Sequence, residues 1–165
     1  MTATPLIIGV DPGKSGALAL LHHAGQLLST IDMPVVGNII SPVLLDQALQ
    51  IATAPFLATA FEAVIEDVHA MPKQGVSSVF SFGRSLGVVE GVLAGQGWAL
   101  HYVSPAKWKK QLGLSNDKGM SRRRAIELWP AKADLFKRVK DDGRAEAALI
   151  GLWFVQHGQG RSVAA

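Results

Sequence analysis

The 165-residue chain contains no cysteine. That excludes a disulfide framework and a thiolate zinc site, and it fits an intracellular setting. No apolar run reaches the roughly 18 residues needed to span a bilayer, and the N-terminus has no basic-then-apolar export signal. Neither a membrane partner nor a secretory route is therefore expected. There is no internal repeat, no low-complexity tract and no interdomain linker. Charged residues are few, at 18%, against 48% hydrophobic ones, a balance that suits one folded domain over residues 1–165 with an ordinary core. The tail, Gly158 to Ala165, reads as frayed.

The charge that is present is unevenly placed. Of 16 Lys and Arg residues, 11 fall between Lys107 and Lys140, where three acids (Asp117, Glu127, Asp134) oppose them. That window carries +8 and the rest of the chain −5. Such asymmetry suggests a polyanion-binding face beside an acidic pocket, against the alternative of solvated helix faces.

Leu6–Asp11 is an apolar run ending on an aspartate, followed by a Pro-Gly-Lys-Ser-Gly turn and a second apolar run from Ala17 to Leu21. The pattern predicts a hairpin with Asp11 at the end of its first strand, either facing a cleft or bonding nearby backbone as turn aspartates do. Leu27–Met33 is a third strand, and Pro34–Pro42 a loop holding Gly37 and Asn38. Ser41 caps a helix starting at Pro42, with Leu44, Leu45, Ala48, Ile51 and Ala52 at helical spacing. Phe61–Asp67 reads as a strand ending in carboxylates.

Gly75–Gly95 is the clearest helix. Val79, Phe82, Leu86, Val89 and Leu93 make an apolar stripe, and Gly83, Gly87 and Gly91 make a second, smooth one. That smooth stripe is expected to pack on the sheet, with a helix of another subunit as the alternative. Trp98–Val103 is a last strand. Short helices from Ser104 and over Met120–Leu128 carry the basic residues, and a final helix runs from Arg144 to Gln156.

Three acidic positions share one property: each lies where an apolar element begins or ends. Asp11 ends the first strand, Glu66 nearly ends the fourth, and Asp142 and Glu146 open the last helix, four residues apart on one face. If the first and fourth strands are parallel neighbours, their carboxylate ends meet at one sheet edge. Acids gathered there need a counter-charge, which hard divalent cations supply to oxygen ligands. Two such ions can activate water and stabilise the leaving oxygen of a phosphodiester. The bland alternative makes each acid a cap or turn residue; the neighbouring basic window favours the metal.

These residues carry a resemblance. Ile-Gly-Val-Asp-Pro-Gly-Lys-Ser-Gly-Ala (8–17), Val-Ile-Glu-Asp-Val-His-Ala-Met-Pro-Lys-Gln-Gly (64–75), Phe-Ser-Phe-Gly-Arg-Ser (80–85), Ser-Pro-Ala-Lys-Trp-Lys (104–109), Asp-Lys (117–118) and Asp-Asp-Gly-Arg-Ala-Glu-Ala (141–147) stand in order over nearly the whole chain. Together they resemble the RuvC family of Holliday junction resolvases in the ribonuclease H-like superfamily, and its phage-type branch above all. The resemblance implies an α/β fold with a five-stranded mixed sheet flanked by helices. It also implies a homodimer that cuts four-way DNA junctions by paired phosphodiester hydrolysis with Mg²⁺ or Mn²⁺, two ions per active site, in DNA recombination and repair. The setting would be the cytoplasm, at the nucleoid, in a host or phage-encoded protein.

Asp11 and Glu66 match the family's first two acids, and Glu146 the last. Gly143 stands where the family places another acid or a histidine; Asp142 is the substitute, with Asp141 second. Lys109 and Lys118 match basic residues near the scissile phosphate. The strand-wedging aromatic falls on Phe80 or Phe82, of which Phe82 lies on the core stripe. Lys73, Lys107, Lys110, Arg122, Arg123 and Arg124 complete the expected DNA contacts. His69, after the second acid, is either a metal ligand or structural.

Two other classes remain in view. A nuclease for other branched or flap DNA, or a non-catalytic junction-binding module, keeps the same fold. An actin-like phosphotransferase would need a second phosphate motif and at least twice this length, so no nucleotide cofactor is expected.

Overall fold

β1, Leu6–Asp11, alternates its side chains between two buried faces, and the molecule is layered accordingly. Leu6, Ile8 and Val10 enter one core and Ile7 the other. The computed structural model describes residues 4–56, 59–69, 73–115, 117, 119–158 and the backbone of 161–163.

β2 (Ala17–Leu21) and β3 (Leu27–Asp32) follow β1 as antiparallel neighbours. The expected loop after them holds a short hairpin, β4 (Val35–Val36) with β5 (Ile39–Ile40). Its two central residues, Gly37 and Asn38, both have positive φ (56° and 65°), the turn that matches strand twist. Then come α1 (Pro42–Thr53), β6 (Phe61–Glu66), α2 (Val76–Gly95), β7 (Ala99–Val103), α3 (Pro105–Gln111), α4 (Met120–Leu128), α5 (Asp142–His157) and β8 (Arg161–Val163). The main sheet runs β3-β2-β1-β6-β7-β8, with β6 parallel to both β1 and β7. The expected five-stranded mixed sheet is present. The tail expected to fray adds a sixth strand, pairing its backbone antiparallel to the edge of β7.

α1 and α2 cover one face, burying Leu45, Leu49, Val89 and Leu93. α5 covers the other and is buried nearly all round, from Ala145 to Phe154. It lies so close to β1 that a Cβ on Gly9 would sit 2.0 Å from the Ala147 carbonyl oxygen. A side chain at Gly9 would push α5 off the sheet.

Two expected helix faces differ. In α1 the buried pair is Leu45 and Leu49, while Leu44 and Ile51 are exposed. Adjacent apolar residues at 44 and 45 make two stripes possible, and packing against Ile40 and Met33 selects one. In α2, Gly83, Gly87 and Gly91 do not pack on the sheet: among the described residues, nothing lies within 4 Å of a Cβ built on any of them. α2 is also long and apolar enough by composition to span a membrane, contrary to the expectation that no segment was, although Ser85, Val89 and Leu93 are buried against the core.

Candidate active site: a carboxylate cluster at the sheet edge

The parallel register sets Val10 against Ile65, so the next residues, Asp11 and Glu66, end neighbouring strands side by side. Pleat alternation puts both on the α5 face, with Ile7 and Val64 below them. α5, seated on Gly9, brings Glu146 to the same place. Asp11 and Glu146 line a cleft of about 440 Å³ with Ser15, Lys109, Ser115, Asp117, Ser121, Lys140, Asp142 and Gly143.

The electrostatics show the three acids acting on one another. Asp11 is pushed up from the ordinary carboxylate range to about 7, first by burial, then by the charges of Glu146 and Glu66. The Gly13 N–H, donating to Oδ1 at 3.3 Å, and Lys109 oppose the rise without cancelling it. Glu66, 6% exposed, is also raised, mainly by burial and in part by Glu146. Trp108, fully buried on α3, opposes that shift by donating Nε1–H to Glu66 Oε1 at 2.8 Å. Lys109 Nζ lies 3.1 Å from Glu146 Oε1, and Ser121 Oγ donates to the same oxygen at 3.4 Å.

Among the described residues, no group of three His, Cys, Asp or Glu side chains stands ready to hold a metal ion. The donor chemistry nevertheless fits a hard divalent cation. It consists of oxygen alone, and the Asp11 carboxyl, raised first by burial and then by two neighbouring carboxylates, lacks nearby positive charge enough to offset them.

The last motif sorts itself on contact. A Cβ on Gly143 would meet the Ser15 carbonyl oxygen at 2.4 Å and Gly16 Cα at 2.8 Å, so the turn after Asp11 occupies the space a side chain would need there. Asp142, one residue earlier, reaches the cleft but is paired with Arg122, whose Nε lies 2.6 Å from Oδ1. Asp141 is 1% exposed and closed off by Arg138 (2.8–3.2 Å) and by Arg144 at 3.7 Å. It holds the chain entering α5 and is not free to serve as a ligand.

Of the expected basic contacts, Lys107, Lys110 and Arg123 are exposed, while Arg124 pairs with Glu127. Arg122 is held by Asp142 and by the Lys137 carbonyl. Lys118 lies outside the described residues. Lys73 is exposed with φ 70°, and Phe80 is 71% exposed, whereas Phe82 is half-buried. His69 lies 3.5 Å from Asp67 at the surface and is not among the residues lining the acidic cleft. Sequence reasoning missed Trp108, Ser15, Ser121 and Lys140. A tryptophan inside Lys107–Lys110 was the available signal: an apolar residue in a basic helix marks the side that faces inward.

Antiparallel β1–β3 with parallel β6 and β7 make a ribonuclease H-like fold, and acids stand at one edge of its sheet. Within that class the fold is that of RuvC. Over 97% of this chain and 100% of the other, it superposes on Thermus thermophilus RuvC in complex with a Holliday junction substrate, with a TM-score of 0.64 and 14% identity. A second Thermus thermophilus RuvC structure gives a TM-score of 0.64 and 15% identity over 96% and 99% of the two chains. In sequence, 96 residues (57% of this chain) are 29% identical to the chloroplastic Holliday junction resolvase MOC1 of Chlamydomonas reinhardtii. The match spans 11% of that relative's length. No family model matches the chain.

Proposed function

We propose that this chain is a divalent-metal-dependent endonuclease that resolves four-way DNA junctions by paired phosphodiester hydrolysis. The observation that carries the reading is the convergence of Asp11, Glu66 and Glu146 at one sheet edge, where two of the three are pushed above the ordinary carboxylate range. The RuvC fold and the MOC1-like sequence support it, since that RuvC is bound to a Holliday junction substrate and MOC1 is a Holliday junction resolvase by name.

Asp11, Glu66 and Glu146 would hold Mg²⁺ or Mn²⁺, two ions per site, with Asp142 joining them only if released from Arg122. Bound there, the ions would activate water and stabilise the leaving oxygen. Trp108 fixes the Glu66 carboxylate through one oxygen and leaves the other open. Lys109, beside Glu146, supplies a positive charge that a phosphate can share, and Lys118 is assigned the same role. Lys73, Phe80, Lys107, Lys110 and Arg123 form the surrounding DNA contacts, with Phe80 the wedge between strands. Arg122 and Arg124 also belong to this basic face, although acids hold both. The protein would act in the cytoplasm, at the nucleoid.

Paired cuts require two active sites, and the open glycine face of α2 supports a homodimer built on that helix. A nuclease for flaps or other branches would use the same acids. Synthetic four-way, flap and linear duplex DNA, digested with and without Mg²⁺, separates the readings. Asp11→Asn or Glu66→Gln is expected to abolish cleavage by at least about a hundredfold while junction binding survives. Junction cleavage that persists in both variants would falsify the assignment.

A further inference from the structure

The turn that follows Asp11 has two sides. On one, Ser15 lines the acidic cleft. On the other, Lys14 lines a separate groove of about 390 Å³ with Asn38, Ser77, Ser78, Ser81, Phe82 and Ser85. Lys14 Nζ donates to Asn38 Oδ1 at 2.9 Å, so the tip of the β4–β5 hairpin holds the ammonium in place. The acceptor is a neutral amide, and Lys14 has no acidic partner among the described residues. Ser85 donates to the Ser81 carbonyl at 3.0 Å, whereas the hydroxyls of Ser77, Ser78 and Ser81 have no partner among the described residues.

A cation fixed by an amide, lining one groove with three hydroxyls, is the chemistry that receives a phosphodiester. The groove lies one turn away from the carboxylates. From this placement we infer that Lys14, with Ser77, Ser78 and Ser81, seats a DNA backbone phosphate next to the one being cut, and that Asn38 is the positioning residue that aims Lys14. The inference rests on the nuclease reading. It adds a contact outside the Lys107–Lys140 window, on the opposite side of the Asp11 turn. A strand crossing that turn is gripped on both sides of its scissile bond.

The test uses junction binding in an Asp11→Asn background, where no cleavage interferes, measured over a series of KCl concentrations. Adding Lys14→Met is expected to lower the slope of log K against log[salt] by about one and to weaken binding about three- to tenfold regardless of sequence. Asn38→Asp separates a phosphate seat from a structural strut. Aspartate tolerates the left-handed backbone at 38 and pairs with Lys14, so a strut is strengthened while a phosphate seat is neutralised. The expected result is weaker binding with an unchanged or raised melting temperature. An unchanged slope in Lys14→Met, or tighter binding in Asn38→Asp, overturns the inference. So does Lys14-dependent binding of inorganic phosphate alone with no effect on DNA, which would reassign the groove to a small free anion. A lowered slope in a chain that never cleaves leaves the seat standing and the nuclease reading fallen; normal cleavage with unchanged slopes does the reverse.

Discussion

Asp11 is the residue whose environment conflicts most with its charge. Its carboxyl titrates near 7 in the folded chain and near 3.8 when unfolded, so between those values the folded state holds a proton that the unfolded state has released. Without divalent ions, stability therefore falls as pH rises from about 4 to 7 and stays low above it. The difference is up to about 4 kcal/mol at 1.36 kcal/mol per pKa unit. Asp11→Asn removes that penalty while abolishing activity. At pH 8 without metal, its melting temperature is expected to exceed that of the parent by roughly 5–10 °C. At pH 4 the two should melt nearly together. Calorimetry at both pH values checks this, and equal melting at pH 8 would show that burial and the neighbouring acids do not raise the Asp11 carboxyl. Trp108 makes a companion case. Trp108→Phe leaves a buried Glu66 oxygen without its donor, which costs about 1–3 kcal/mol and raises the Glu66 carboxyl further. Cleavage should then shift to more alkaline pH, seen as a displaced acid limb in the pH–rate profile. Asp11 and Glu66 were legible in the sequence because each terminates an apolar run. Trp108 was not, because its role exists only once α3 is folded against the end of β6.

At the scale of elements, the site depends on how closely α5 approaches the sheet. Gly9 touches the backbone at Ala147 and Gly151, and Gly143 touches the turn at Ser15 and Gly16, so the helix is pinned at two heights by contacts that admit no side chain. Gly143→Ala would force the first turn of α5 away from the Asp11 turn, carrying Glu146 with it. Expected is a loss of about 1–3 kcal/mol in stability, as for overpacking elsewhere, together with a fall in cleavage larger than the lost folded fraction explains. Denaturant melts and rates measured side by side decide it; a rate that simply tracks folded protein refutes the positioning role. Most elements could be placed from periodicity: α4 was expected over the residues it occupies, Met120–Leu128. What periodicity could not choose was the face. Leu44 and Leu45 offer equivalent stripes until Ile40 and Met33 are in place, and the glycines of α2 fit a sheet contact as well as an open surface. The substitution at Gly143 was visible as a departure from the family pattern, but its cause, the carbonyl of Ser15, is a contact between segments more than 120 residues apart.

For the whole molecule, the open face of α2 and the lopsided charge describe how the chain meets other molecules. Three glycines on an exposed helix face cost it about 1 kcal/mol each relative to alanine, and no contact with the described residues offsets that. In a lone monomer, Gly87→Ala should therefore stabilise the fold by up to about 1 kcal/mol, with no other consequence. In a homodimer whose helices meet along that face, the added methyl groups separate the backbones and association weakens. Gly87→Leu enlarges the effect without changing the buried side of α2, where Val89 and Leu93 lie. The expected outcome is a chain that melts no lower than the parent at micromolar concentration yet sediments as a monomer where the parent is a dimer. It should bind four-way junctions more weakly and release singly nicked rather than doubly cut product, because the two cuts are no longer made within one complex. Sedimentation velocity and the ratio of nicked to resolved junctions measure the two halves of this independently. A parent chain that is already monomeric and still makes paired cuts would show that α2 serves some other partner.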